Sequence, residues 1–307
     1  MATSVTYPVP GPGPAPVLGT AGLKAPEQAS LWSDAWRRLR RNRLALISAI
    51  YLVLLVIVAL VAIVHTPYSY REVGVARPYS GPSAANWFGA DILGRDVLSR
   101  LMVGAQISLI VGVGTQIFVV AVGVPIGLIA GYYKGPFDTA VSFIINVFYG
   151  IPDLLVAMIL LLLLGPSLNN IIIAIVATRW MDMARLVRGQ TLSMREREFI
   201  EAARSSGAKP AKILFGHILP NSLGPIIVQA TFGVPAAILF EAFLSFLGIG
   251  VQPPTPSWGS MAADGLAAIR IAPHMVIFPS IALSLTLMAF NFLGDGLRDA
   301  LDPRQKR

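Results

Sequence analysis

The chain has 307 residues, of which 55% are hydrophobic and 13% charged, with a formal net charge of +8. Soluble domains carry about 25% charged residues, so a core of this size could not hide so much apolar surface from water. A mean hydropathy of +0.67 makes a lipid bilayer the natural solvent for most of it. The absence of cysteine excludes disulfides, thiolate metal sites and cysteine nucleophiles. Three scattered histidines, His65, His217 and His274, lack the spacing of a metal site and read as structural or solvent-facing groups.

Residues 1–30 are rich in Pro, Gly and Ala without apolar periodicity, and read as a disordered cytoplasmic tail rather than a signal peptide. The stretch "WRRLRRNRLALI" then crowds Arg37, Arg38, Arg40, Arg41 and Arg43 against the first apolar run. Arginines abutting lipid read as a positive-inside anchor, not a nucleic-acid patch. The anchor and first span cover 31–64, and an extracytoplasmic segment covers 65–106.

Six stretches are long and apolar enough to cross a bilayer: 44–64, 107–130, 140–164, 171–192, 223–246 and 275–293. The last five lie in a core of 107–307. Pro152 kinks the third span beside Asp153, and Arg179, Asp182, Arg185 and Arg188 take the fourth out of the bilayer early. Glycines in "VGVGTQIFVVAVGVPIG", residues 111–127, supply small residues at helix contacts. Arg95, Asp96 and Arg100 form a short surface helix near the outer mouth, and "PPTPSWGS" around Trp258 a rigid outer turn.

With the N-terminus inside, 19 of the 24 Lys and Arg fall on cytoplasmic parts and 5 on outer parts. That asymmetry puts both termini and the polar segment 195–220 in the cytoplasm. Within this segment, "EFIEAARSSGAKPAKILFGHILPN" reads as helix, turn, helix. Gly207 stops the first helix and Pro210 fits the first turn of the second. Ala202, Ala203, Ser206 and Gly207 make one small-residue stripe that lets another backbone approach, with Glu201 and Arg204 beside it for charged contacts.

Glu201-Ala202-Ala203, Gly207 after three intervening residues, and Leu219-Pro220 a dozen further resemble the EAA signature of ABC-importer permeases. His217 stands where the general pattern prefers Ile, as in the peptide-transporter branch. "NWFGADILGRDVLSRLMVGAQISL", "EAFLSFLGIGVQPPTPSWGSM" and "FNFLGDGLRDALDPR" resemble dipeptide and oligopeptide permeases, most of all the C-type subunit. The resemblance implies an all-α polytopic type I permease with six transmembrane helices and a cytoplasmic coupling helix. It implies a homologous B-type permease, two cytoplasmic ABC ATPase subunits and an extracytoplasmic peptide-binding protein as partners, in the cytoplasmic membrane among lipid.

The chain itself has no P-loop, because none of its five lysines precedes Ser or Thr. ATP and Mg are therefore expected on partner subunits and no cofactor here. Asp153 and Glu241 lie in or near spans and are candidates for the translocation path; Glu241 alternatively caps the turn from Ser245 to Gly250. A proton-coupled secondary transporter would use the same carboxylates, but no inverted repeat is visible. A membrane-embedded enzyme lacks a nucleophile with its base or a metal cluster. A non-peptide solute such as a nickel chelate remains open as cargo.

Overall fold

The computed structural model describes residues 31–302, and the Pro-rich tail of 1–30 lies outside them. Eleven α-helices follow one another, and among the described residues the β pairing is one isolated bridge between Ala90 and Asp96. They are α1 (Leu31–Arg41), α2 (Arg43–Val64), α3 (Val97–Tyr133), α4 (Gly135–Tyr149), α5 (Asp153–Leu164) and α6 (Leu168–Met194). Then come α7 (Glu198–Ser205), α8 (Pro210–Ile213), α9 (Leu219–Phe246), α10 (Trp258–Ala267) and α11 (His274–Leu301). A π-helical turn, Leu214–Ile218, joins α8 to α9.

The basic anchor is its own helix. Asn42 interrupts it, and its side chain accepts from the Ala45 amide at 3.2 Å to cap α2. On α2, Ala45, Ser48, Leu52, Leu55 and Ala59 are buried while Leu54, Ile57, Leu60 and Ile63 stay exposed. One stripe at helical spacing packs on the bundle, and the rest suits lipid.

Among the described residues, four continuous stretches are long and apolar enough to cross a membrane: Arg43–Val64, Val97–Tyr133, Pro210–Phe246 and His274–Leu301. The pair α4 and α5 makes a fifth only as a broken span, bent by 91°. The fourth expected span, α6, has the length at 27 residues but carries Arg179, Asp182, Arg185 and Arg188 and is not among these stretches. Nor does α6 end at those charges: it runs on to Met194.

The second span begins ten residues earlier than hydropathy suggested, at Val97 rather than residue 107. Asp96 is its N-cap, accepting from the Ser99 amide at 2.8 Å and from the Ser99 hydroxyl at 2.7 Å. This corrects the expected surface helix, for Arg95, Asp96 and Arg100 are all buried. Asp91 accepts from the Arg95 Nε at 2.6 Å and lies 3.4 Å from the Arg100 Nε. Arg100 also donates to the carbonyls of Tyr70 and Pro254, each at 3.3 Å, which ties two outer loops to α3.

Trp258 is likewise no exposed turn residue. It opens α10, is 1% exposed, and donates from Nε1 to the Leu101 carbonyl at 3.1 Å. A capping box between Ser257 and Ser260 starts this helix. Gly104 makes room for the indole, since a Cβ there would stand 2.9 Å from its Cδ1.

Along the α3–α6 seam, a Cβ on Gly123 would stand 2.8 Å from the Trp180 carbonyl oxygen, and one on Gly127 2.5 Å from that of Ala184. Small residues at this spacing let two backbones touch where no hydrophobic force acts between helices in lipid. Gly127→Ala is therefore expected to destabilise the solubilised chain by about 1–3 kcal/mol, because backbone cannot yield as a side chain does. Gly114→Ala, whose Cβ would meet Ile172 Cδ1 at 3.7 Å, should leave the detergent melting temperature unchanged or slightly raised.

Candidate functional site

The polar segment after α6 is built on one apolar pin. The turn 195–197 ends α6, and α7 then runs for eight residues. Of these, Ile200 is buried, joining Leu128, Val187, Ile213, Leu214 and Ile218 in a shared cluster. Glu198, Phe199, Glu201, Ala202 and Arg204 are exposed and Ala203 is half-buried. An isolated helix of this length is marginal in water, so its order rests on that pin and on the contacts around it.

Those contacts converge on the last turn of α3. Arg195 donates from Nη1 to the Tyr132 carbonyl, and the Arg204 guanidinium lies 6.0 Å from the centre of the Tyr132 ring. Lys134 pairs with Glu196 at 3.1 Å, an exposed pair worth about 0–1 kcal/mol. Arg204 is therefore directed to its own chain, whereas Glu201 makes no ion pair among the described residues. Ser206 donates its hydroxyl to the Ala202 carbonyl at 2.9 Å, and Gly207 turns the chain with φ at +79°. Ala202, Ser206 and Gly207 remain exposed as one patch. Pro210 starts α8, and the Leu219 amide reaches back to the Leu214 carbonyl to close the π turn into α9. The segment is thus connected covalently to two long helices and by packing to a third.

A second group of polar residues gathers at the break between α4 and α5, partly exposed. Asp153 opens α5 directly after the break at Gly150–Pro152, and its carboxylate meets Arg179 Nη2 at 2.8 Å. Asp182 sits 3.9 Å from Arg179 Nη1 and accepts from the Tyr149 hydroxyl. Arg179 also lies 5.3 Å from the centre of the Phe240 ring. The sequence offered Asp153 alone; Arg179 and Asp182 were legible only as charges on a long helix, because their partner sits across a chain break.

Glu241 is placed differently. It is fully buried on α9, accepts from the Ser245 hydroxyl, and through Ser245 is linked to Ser257 at 3.3 Å and to the Val251 amide at 3.2 Å. It braces the turn after α9 from inside the chain. His274 contacts the Ala90 carbonyl through Nε2 at 3.2 Å, tying α11 to the outer loop. Among the described residues no group of three His, Asp or Glu is arranged to hold a metal ion.

Apolar spans, an exposed segment hung from three of them and a polar break within the bundle are the parts of a membrane transport subunit. Residues 123–307 match the family described as "Binding-protein-dependent transport system inner membrane component", and 30–82 match "N-terminal TM domain of oligopeptide transport permease C". The chain belongs to this family of inner-membrane components of binding-protein-dependent transport systems.

Among individual proteins, it is 46% identical to the dipeptide transport system permease protein DppC of Bacillus subtilis (strain 168) over 280 residues, 91% of this chain and 87% of that one. The oligopeptide transport system permease protein OppC of the same organism is 41% identical over 289 residues, 94% of this chain and 95% of that one. The glutathione transport system permease protein GsiD of Escherichia coli O157:H7 is 44% identical over 292 residues, 94% of this chain and 96% of that one. Among solved structures, the inward-facing MetNI methionine ABC transporter shares the fold, with a TM-score of 0.55 at 21% identity over 66% of this chain and 96% of that one. The architecture is the type I importer permease fold.

Proposed function

We propose that this chain is one of two homologous permeases of an ATP-driven importer for di- or oligopeptides in the cytoplasmic membrane. The observation that carries the coupling part of this reading is the exposed α7 patch, fastened to α3, α6 and α9 at once. A partner that grips Ala202, Ser206 and Gly207 moves three long helices together, which is what a force-transmitting joint requires. The partners are two cytoplasmic ABC ATPases, where ATP and Mg are bound and hydrolysed. The 19 to 5 division of Lys and Arg puts this patch and both termini on the cytoplasmic side.

Closure of the ATPase dimer would draw the coupling segments of the two permeases together and switch which side their shared path faces. An extracytoplasmic binding protein delivers the cargo. Peptide is favoured as that cargo because relatives named for dipeptide, oligopeptide and glutathione transport align along nearly the whole chain.

The test is purification of the chain from its native membrane in mild detergent, with mass spectrometry of what accompanies it. A homologous permease and P-loop ATPases are expected, with ATP hydrolysis rising when peptide-loaded binding protein is added. A chain that purifies without any ATPase would overturn the coupling role. Stimulation by a metal chelate but by no peptide would keep the importer and replace its cargo.

A further inference from the structure

The geometry points to a cargo site at the broken span: Asp153, Arg179 and Asp182 together hold the charged ends of a zwitterionic peptide as it crosses. This rests on the reading of the chain as a peptide permease.

Depth comes first. A Cβ on Gly123 of α3 would touch Trp180 and Met183, so Arg179 and Asp182 lie level with the apolar run of α3 and not beyond it. Yet these side chains are not sealed inside the chain: 31% of Arg179, 45% of Asp153 and 37% of Asp182 is exposed. A charged side chain facing hydrocarbon at this depth costs at least about 2.5–3.5 kcal/mol. The surface they share therefore faces water or protein, not lipid.

The break says the same independently. Between α4 and α5 the helix stops, bends by 91° and restarts at Asp153. Non-helical backbone at membrane depth is tolerated only where protein covers it or it lines a water-filled cavity. Discontinuous helices whose ends face one cavity are a usual way to build a midplane binding site.

The chemistry then selects the ligand. The guanidinium of Arg179 is only partly used: Nη2 pairs with Asp153, Nη1 stands 3.9 Å from Asp182, beyond hydrogen-bond distance, and the buried Nε has no partner. The buried Nε is out of a ligand's reach, but Nη1 is not buried and keeps donors for a carboxylate. Arg185 lies against the Tyr149 ring and balances the charge count, but the Asp182 oxygen 3.9 Å from Arg179 has no close donor and suits an ammonium. Beside them a recess of about 100 Å³ is lined by Gln116, Gln229, Arg179 and Asp182. Gly233 there leaves space for the Gln116 amide, since a Cβ would lie 2.2 Å from its Oε1. Primary amides pair with peptide backbone in either direction. The arrangement is complementary to a short peptide with a free amino end and a free carboxylate.

The experiment uses the assembled complex in proteoliposomes, with uptake of a radiolabelled dipeptide as readout and copurification of the ATPases as the control for assembly. Asp182→Asn and Arg179→Gln should each lower uptake about tenfold or more while the ATPases still copurify. A charge exchange, Asp153→Arg with Arg179→Asp, then separates binding from bracing. It restores an ion pair across the break but puts each charge in the other's place. Uptake that stays low in the exchanged complex is the expected result. Full recovery of uptake would overturn the site and leave the pair as a brace, and undiminished uptake in both single variants would do the same. If the unaltered complex assembles and takes up no peptide at all, it is the peptide reading that fails.

Discussion

Gly207→Asp is expected to cut uptake at least about tenfold while the chain still reaches the membrane. Gly207 sits at φ +79°, and a Cβ there would meet nothing within 4 Å. Its own chain therefore offers no steric objection, and Asp is among the side chains that tolerate this conformation, at a cost of about 1–2 kcal/mol. What changes is the exposed patch with Ala202 and Ser206, which gains bulk and a negative charge on the surface proposed to receive the ATPase. Gly207→Asn carries nearly the same shape and backbone cost without the charge, so it measures how much of the loss is electrostatic. Uptake in Gly207→Asp membranes should fall at least about tenfold, the equivalent of about 1.4 kcal/mol of lost coupling, with less ATPase retained on purification. Normal uptake at normal membrane levels would sink the assignment of α7 as the coupling element.

The largest loss of stability is expected from Asp91→Ala. Asp91 is 6% exposed and stands between Arg95 at 6% and Arg100 at 3%. One of its oxygens accepts from the amides of Leu93 at 2.8 Å and Arg95 at 3.0 Å, and the other takes the Arg95 Nε. Removing the carboxylate strands two buried guanidinium groups of like charge, which costs about 3–5 kcal/mol. The melting temperature of the detergent-solubilised protein should fall accordingly, and the loops holding Tyr70 and Pro254 should become protease-sensitive. A melting temperature within error of the unaltered chain would show that the network contributes nothing net.

Much of the fold was readable because lipid enforces simple rules. Long apolar runs had to be helices, Pro152 marks the break in one although Pro125 and Pro235 sit inside others, and Gly123 and Gly127 mark a close contact. The coupling segment was readable because its stops and starts are local: Gly207 and Pro210 each act through their own φ and N–H. Hydropathy could not find where α3 begins, since Asp96 and Ser99 are polar residues buried by hydrogen bonds to each other, to Asn86 and to the Tyr68 amide. Nor could it find α10, whose ten residues are too few for a span and whose anchor, Trp258, is satisfied by a carbonyl on another helix. Arg179 was legible as a charge on a helix but not as half of a pair, because Asp153 sits across the break between α4 and α5.

The π turn at Leu214–Ile218 makes chain length negotiable at one point. A π turn holds one residue more than the α-helical ladder needs, so deleting Gly216 closes it into ordinary winding and leaves both flanking helices in register. The same deletion at Ile227, inside regular α9, would swing everything on its N-terminal side through about 100° and carry the α7 patch away from its partner. A single-residue deletion should therefore be borne between residues 214 and 218 with far less loss of folded protein than within the helix that follows.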